Sequence, residues 1–244
     1  MGHSLKDARV LVLGGSSGIG LAAAKAIAAA GANVTIVSRS SDKVQTGVAQ
    51  IGNGASGAVL DASDDAAVEA FFGRQPDWDH IVVSVAAGRS AGLHDLSLPD
   101  AYGNMSAKFW SAYRTARLAR ISAEGSLTLV SGFLSQRPNK DALLQGCINA
   151  AIESLGRGLA LTLSPVRVNT VSPGLIDTPI RATMPADKKK AMLDGAAATL
   201  PARRVGQPED VADAILMLMT NPFTTGSTLF IDGGGVDSVV RYLS

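Results

Sequence analysis

Short apolar runs and longer amphipathic stretches alternate along this chain from Val10 to Ile231. Val10 to Leu13 is an apolar run of the kind that forms a strand buried on both faces. Leu21 to Ala30 is Ala-rich and helix-favouring, and Gly31 closes it. The same reading predicts strands at Asn33–Ser38, Ala58–Leu60, His80–Val85, Ser126–Ser131, Val166–Val171 and Thr228–Ile231. Between them it predicts helices at Asp42–Gln50 and Asp64–Phe72, and a long one from Pro99 to about Ser122. Further helices follow from about Ala142 to Leu163 and at Pro208–Met219, with Ile180–Leu200 a polar, Lys-rich helical insertion. Strands alternating with helices imply an α/β fold: a Rossmann-like, doubly wound sheet of about seven parallel strands, joined by right-handed crossovers with helices on both faces. No repeat, low-complexity tract or linker divides the chain, so residues 1–244 are read as a single domain with a lid insertion at about 177–203.

Composition narrows the class of partner. A chain of 244 residues, 46% of them hydrophobic, suits one large α/β domain and is too apolar for disorder. A net charge of +1 gives no electrostatic reason to expect nucleic acid or an anionic membrane. Cys147 is the single cysteine, which forbids an internal disulfide and fits a reducing cytoplasm. Met1 to Asp7 does not resemble a signal peptide, and no run approaches a membrane span. His3, His80 and His94 lie far apart, so no metal site is expected. These features together point to a cytoplasmic protein with a small-molecule ligand.

The first strand runs into Gly14-Gly15-Ser16-Ser17-Gly18-Ile19-Gly20 and then into a helix. A strand, a Gly-rich turn and a helix start suit a dinucleotide pyrophosphate: glycine permits close backbone approach, and free N–H groups face the phosphates. This segment resembles the phosphate turn of the short-chain dehydrogenase/reductase family. Three other segments resemble that family in the same order. They are Arg167 to Gly174, with its Pro173-Gly174 turn, Arg204 to Ala212, and Thr225-Gly226 through Asp232-Gly233-Gly234. The resemblance spans Val10 to Gly234 and implies hydride transfer between NAD(P) and an alcohol or carbonyl, in a homodimer or homotetramer. It places Gly14, Ser16, Ser17, Gly18, Ile19, Gly20, Ala86, Ala87, Gly88, Pro173, Gly174, Ile176 and Thr178 around the cofactor.

Residues just after the second strand lie near the adenosine ribose in such a fold. Here they are Ser38 and Arg39, with no acid before Asp42. A guanidinium fork suits a 2′-phosphate, so NADP(H) is expected over NAD(H). Asp61, after the third strand, resembles the family's adenine-contacting Asp, and a helix-capping carboxylate is the alternative.

The catalytic pattern is where the resemblance breaks. The family uses a Tyr as acid/base, a Lys four residues later on the same helical face, a Ser on the fifth strand and an Asn on the helix before it. Alignment puts Gln145 where Tyr belongs and Asn149 where Lys belongs, and neither titrates. The register at the Asn gives Met105, with Asn104 next to it, and Ser131 lies near the family's Ser. Tyr113 with Arg117 imitates the missing pair but falls well inside the helix, as an interface or packing pair. Three readings stay open: hydride transfer with a relocated proton donor, a dinucleotide-binding sensor, or a structural partner of an active relative. The relocated donors considered are Ser131, Ser135, Lys140, Lys108 and bound water. Lys108 offers a cation from the other wall, against the plain account of a solvated helix lysine. Cys147 is expected as a small buried apolar residue, Lys188 to Lys190 as a solvated face of the lid, and Phe133, Trp110 and Met184 as candidate linings.

Overall fold

The computed structural model describes residues 4–179, 182 and 184–235. Ile180, His3 and Tyr242 therefore lie outside the described residues. At the centre is β1 (Arg9–Leu13), buried from Val10 onward. It pairs in parallel with β2 (Asn33–Ser38) on one side and β4 (Trp78–Val83) on the other, Leu13 lying opposite Val37 and Val83. With β3 (Ser56–Val59), β5 (Ile121–Val130), β6 (Arg167–Pro173) and β7 (Thr228–Ile231), the sheet has seven parallel strands in the order β3-β2-β1-β4-β5-β6-β7. Strand order reverses between β1 and β4, which opens a crevice at the strands' carboxyl ends.

Side-chain alternation along β1 feeds two cores. Val10 and Val12 join Ile27 of α1 (Gly18–Ala29) and Ile215 and Leu218 of α8 (Pro208–Thr220) on one face. Leu11 and Leu13 join Phe72 of α3 (Asp65–Gly73), Ala112 of α5 (Ser111–Leu118) and Ile148 and Ile152 of α6 (Leu143–Thr162) on the other. Helix α2 (Ser41–Ile51) is capped by Ser40, whose hydroxyl accepts from the Lys43 N–H. Helix α7 (Ala186–Thr199) forms the Lys-rich insertion, and no helix among the described residues is long and apolar enough to cross a membrane.

The long helix expected from Pro99 to Ser122 is not continuous. It is α4 (Leu98–Met105), a wide π turn over Ser106–Trp110, and then α5, which stops at Leu118. Ile121 and Ser122 belong instead to β5, because Ile121 pairs with Trp78 and sheet pairing overrides local helix propensity. β3 likewise runs from Ser56 to Val59 instead of the expected Ala58 to Leu60. Both ends of β4 also differ from expectation: it starts at Trp78 and stops at Val83, releasing Ser84 and Val85 to the loop over the crevice.

Arg167 ties β6 to the end of α8. Its buried guanidinium donates to the Leu218 carbonyl at 2.5 Å and the Met219 carbonyl at 2.7 Å, where the helix dipole is negative. Arg167→Met leaves these carbonyls without their donors and is expected to cost about 2–3 kcal/mol of unfolding free energy, measured by urea denaturation.

Candidate active site

The turn after β1 is built for close approach to an anion. Gly14 has φ +77°, and a Cβ on it would lie 2.5 Å from the Ser84 carbonyl oxygen; a Cβ on Gly20 would run into the Gly14 carbonyl. Gly18, at φ +52°, starts α1 beneath Thr178, whose Cβ would stand 3.6 Å from one added there. Ser17 precedes α1 without capping it by its side chain, so the first N–H groups of the helix remain available. The turn thus brings together Gly14, Ser16, Ser17, Gly18, Ile19, Gly20 and, from the loop after β6, Thr178. Pro173 ends β6, and Ile176 is held by a bridge to Gly206. These residues fit a dinucleotide's pyrophosphate on the structural ground that Gly14 and Gly20 keep Cβ atoms out of the turn while the first N–H groups of α1 stay uncapped by a side chain.

On the adenosine side, Ser38 ends β2 and Arg39 follows it. Asp61 accepts from the Ser63 hydroxyl at 2.6 Å and the Ser63 N–H at 2.9 Å. Those two bonds, with the Arg39 and Arg114 charges, hold its carboxyl below the ordinary value. Asp61 does not cap a helix; Asp64 caps α3 by accepting from the Ala67 N–H.

The central finding is Lys108. It lies in the π turn, and its ammonium donates to the Asn149 carboxamide oxygen at 2.7 Å and the Ser131 carbonyl at 2.7 Å. It is not a solvated surface lysine: it lines an inner crevice with Val83, Val85, Ala112, Leu129, Val130 and Ile152. This apolar enclosure lowers its pKa from 10.5 to about 8, and the Glu153 carboxylate opposes the shift. Between these two values the unfolded chain binds the extra proton, so this residue makes stability rise with pH across that window. An ammonium can only donate, so the bond fixes Oδ1 of Asn149 toward Lys108 and turns its NH2 toward Gly132. Two of the three ammonium N–H groups are thereby used, and the third has no acceptor among the described residues.

Ser131 does not face the site as expected. Its hydroxyl donates to Glu153 Oε1 at 2.9 Å, one helical turn deeper along α6 than Asn149. The residue lying over Asn149 is Gly132, where an added Cβ would come 2.7 Å from the Asn149 Nδ2. Ser135 also donates to Glu153, at 2.6 Å, and Lys140 is exposed. Glu153, which the sequence reading passed over, is 3% exposed and sits four residues after Asn149. The i, i+4 spacing was its only advance signal.

The remaining candidates divide. Gln145 is half-buried, with its Nε2 3.5 Å from the Gly88 carbonyl. Asn104 is buried and donates to the Arg89 carbonyl at 2.9 Å, with its Oδ1 against Gly88, so it pins the Ala86-Ala87-Gly88 loop. Met105 packs with the inner core instead. Cys147 is exposed rather than buried, because it falls on the outer side of α6. Trp110 stands edge-on to Phe109 and Tyr113, 45% exposed on the helix's outer side.

Known proteins are similar to this one over nearly the whole chain. A family profile described as enoyl-(acyl carrier protein) reductase matches residues 14–235. A cis-4-hydroxycyclohexanecarboxylate dehydrogenase from Sinomonas cyclohexanicum is 31% identical, over 96% of this chain and 98% of its own. A small-chain dehydrogenase crystallised in complex with NADPH is 34% identical, with a TM-score of 0.81 over 93% of this chain and 97% of that one. A short-chain dehydrogenase from Burkholderia cenocepacia J2315, in complex with NADP, is 28% identical with a TM-score of 0.85, covering 95% and 98%.

Asn149→Lys removes the acceptor of Lys108 and sets a second ammonium against it. It is expected to lose about 2–4 kcal/mol of stability at pH 7 in chemical denaturation. The loss shrinks as pH rises through about 8, where Lys108 gives up its proton. Adding Lys108→Asn to that variant recovers most of the stability.

Proposed function

Because the chain belongs to the short-chain dehydrogenase/reductase family of oxidoreductases, we propose that it is an NADP(H)-dependent oxidoreductase acting on a carbonyl or alcohol, with Lys108 doing the acid–base work that Gln145 and Asn149 cannot. The observation carrying this reading is the partly used ammonium: Lys108 is held at Asn149, the family's Lys position, and one of its three N–H groups has no acceptor among the described residues. NADPH, when bound, supplies the hydride. Reduction also needs one proton at the substrate oxygen, and a general acid works best when its pKa lies near the operating pH. Lys108, at about 8, meets that condition, whereas a lysine at 10.5 holds its proton too tightly. It gives the proton to the substrate oxygen as the alcohol forms and regains it from solvent.

Support for the phosphorylated cofactor comes from Ser38 and Arg39 at the end of β2, with no nearby acid before Asp42 to repel a 2′-phosphate. The NADPH- and NADP-bound neighbours favour the same choice. The Sinomonas relative, named for a hydroxy-acid substrate, supports an alcohol/carbonyl couple. An exposed aromatic strip of Tyr102, Trp110 and Tyr113 along α4, the π turn and α5 supports self-association through that face. The second reading, a dinucleotide sensor with no turnover, is favoured by Gly132 and Gln145, which leave no hydroxyl or phenol over Asn149.

Following NADPH absorbance with a panel of carbonyl compounds separates these readings: oxidation is expected, and binding without oxidation selects the sensor. In the active case Lys108→Met is expected to lower kcat by about 10²–10⁴-fold while leaving NADPH affinity unchanged. Reduction should slow as pH rises through about 8, because the donor is then deprotonated. Arg39→Ala is expected to weaken NADPH binding about tenfold in calorimetry and to leave NADH nearly unaffected.

A further inference from the structure

One buried carboxylate beside Asn149 and Lys108 takes no part in the hydride chemistry. Glu153, on α6, accepts at one oxygen, Oε1, from three hydroxyls: Ser131 at 2.9 Å, Ser135 at 2.6 Å and Ser172 at 3.1 Å. These donors come from the end of β5, the turn after it and β6, so the carboxylate is gripped from three segments. Ser131 belongs to two arrangements at once: its hydroxyl donates to Glu153 while its carbonyl accepts from Lys108. Asn149 and Glu153 stand one turn apart on the same helix, so the acceptor and the carboxylate are set at a fixed spacing.

We propose that Glu153 is the positioning residue for Lys108: a caged carboxylate that keeps the ammonium charged and, through Ser131, fixes the carbonyl to which it donates. The surroundings of Lys108 leave this role to Glu153. The sheet presents Val83, Leu129 and Val130, the loop after β4 Val85 and α5 Ala112; the uncharged Ser131 follows β5, and α6 presents Ile152, Asn149 and Glu153. Among the described residues Glu153 is the one charged side chain that acts on Lys108, and it does so in the direction that retains the proton. A buried carboxylate is costly to keep without hydrogen bonds, and here three hydroxyls supply them at Oε1 while its charge acts on Lys108 across Ser131. The inference extends the assignment of Lys108 as acid, but its test does not depend on turnover.

The experiment follows the side-chain carbon signals of labelled lysine by NMR as a function of pH, with Lys108 assigned by its disappearance in Lys108→Met. Glu153→Gln keeps the shape and an acceptor oxygen and removes the charge. Its Lys108 midpoint is expected to fall by about half a unit or more, a threefold or greater loss of proton affinity. Glu153→Asp, which retains the charge, is expected to bring the midpoint back toward wild type. A folded Glu153→Gln protein whose Lys108 midpoint is unmoved overturns the proposal, because a merely structural clamp would change the melting temperature and not the titration. Should Glu153→Gln fail to fold, the wild-type protein still decides. The Glu153 carboxyl carbon signal must step at the Lys108 midpoint and lose that step in Lys108→Met; a flat signal overturns the proposal. If Lys108→Met leaves turnover intact while the wild-type Glu153 carbon signal still reports the Lys108 midpoint, the catalytic assignment fails and the positioning role stands.

Discussion

An ammonium group enclosed by valine, leucine and isoleucine side chains must be given acceptors, and much of this site follows from that demand. Lys108 enters from the π turn with apolar neighbours beneath it, so its charge is tolerated only where oxygen atoms meet it. The Ser131 carbonyl is available because β5 ends there, and Asn149 supplies the second acceptor. The requirement then spreads outward. With its oxygen committed, Asn149 can only offer donors on its other side, and Gly132 is confined to a residue without a Cβ as long as the amide stays where Lys108 holds it. The site is therefore more than a familiar one with letters missing: its replacements fit one another.

This exchange has a chemical logic. In the family's pattern the helix after β5 carries the cation and the helix before β5 carries a carboxamide. Here Lys108, on the helix before β5, carries the cation, while Asn149, on the helix after it, carries the carboxamide. The two groups have changed walls and still meet at hydrogen-bond distance. What the exchange does not restore is a phenol. Gln145 offers an amide that can orient an oxygen but has no proton to give near neutrality, so the proposed reaction assigns acid–base work to Lys108, whose apolar surroundings move it toward that range.

The architecture was legible because it rests on local patterns that the tertiary structure does not contradict. Alternating apolar runs and helices gave a parallel sheet with helices on both faces, and the glycines at 14 and 20 sit where backbone packing forbids anything larger, while Gly18 has a positive φ. The misreadings all occur where a tertiary partner decides. Ile121 is drawn into β5 by Trp78, and nothing in Ser106–Trp110 marks a wide turn on sequence alone. That turn carries Lys108, so its inward direction could not be read from helical periodicity. Ser131 was placed by its position at the end of the fifth strand, yet the direction of its hydroxyl depends on Glu153, a residue whose role exists only once α6 is laid against β5 and β6.

Whether the site is used or merely left over can be argued from what it costs to keep. Replacing a buried ionic group with apolar side chains of similar volume is frequently neutral or stabilising, so a chain retained only as scaffold has no physical reason to hold one. Here a lysine and a glutamate remain in the interior, with Ser131, Ser135 and Ser172 spent on the carboxylate and Ser131 and Asn149 on the ammonium. A simple core could have been made by extending the valines and leucines that already surround Lys108. Among the described residues the cluster instead leaves one ammonium N–H without an acceptor, a poor choice for stability and a sensible one for a group proposed to meet a substrate oxygen. That unspent donor weighs against a purely structural subunit and toward chemistry at this position.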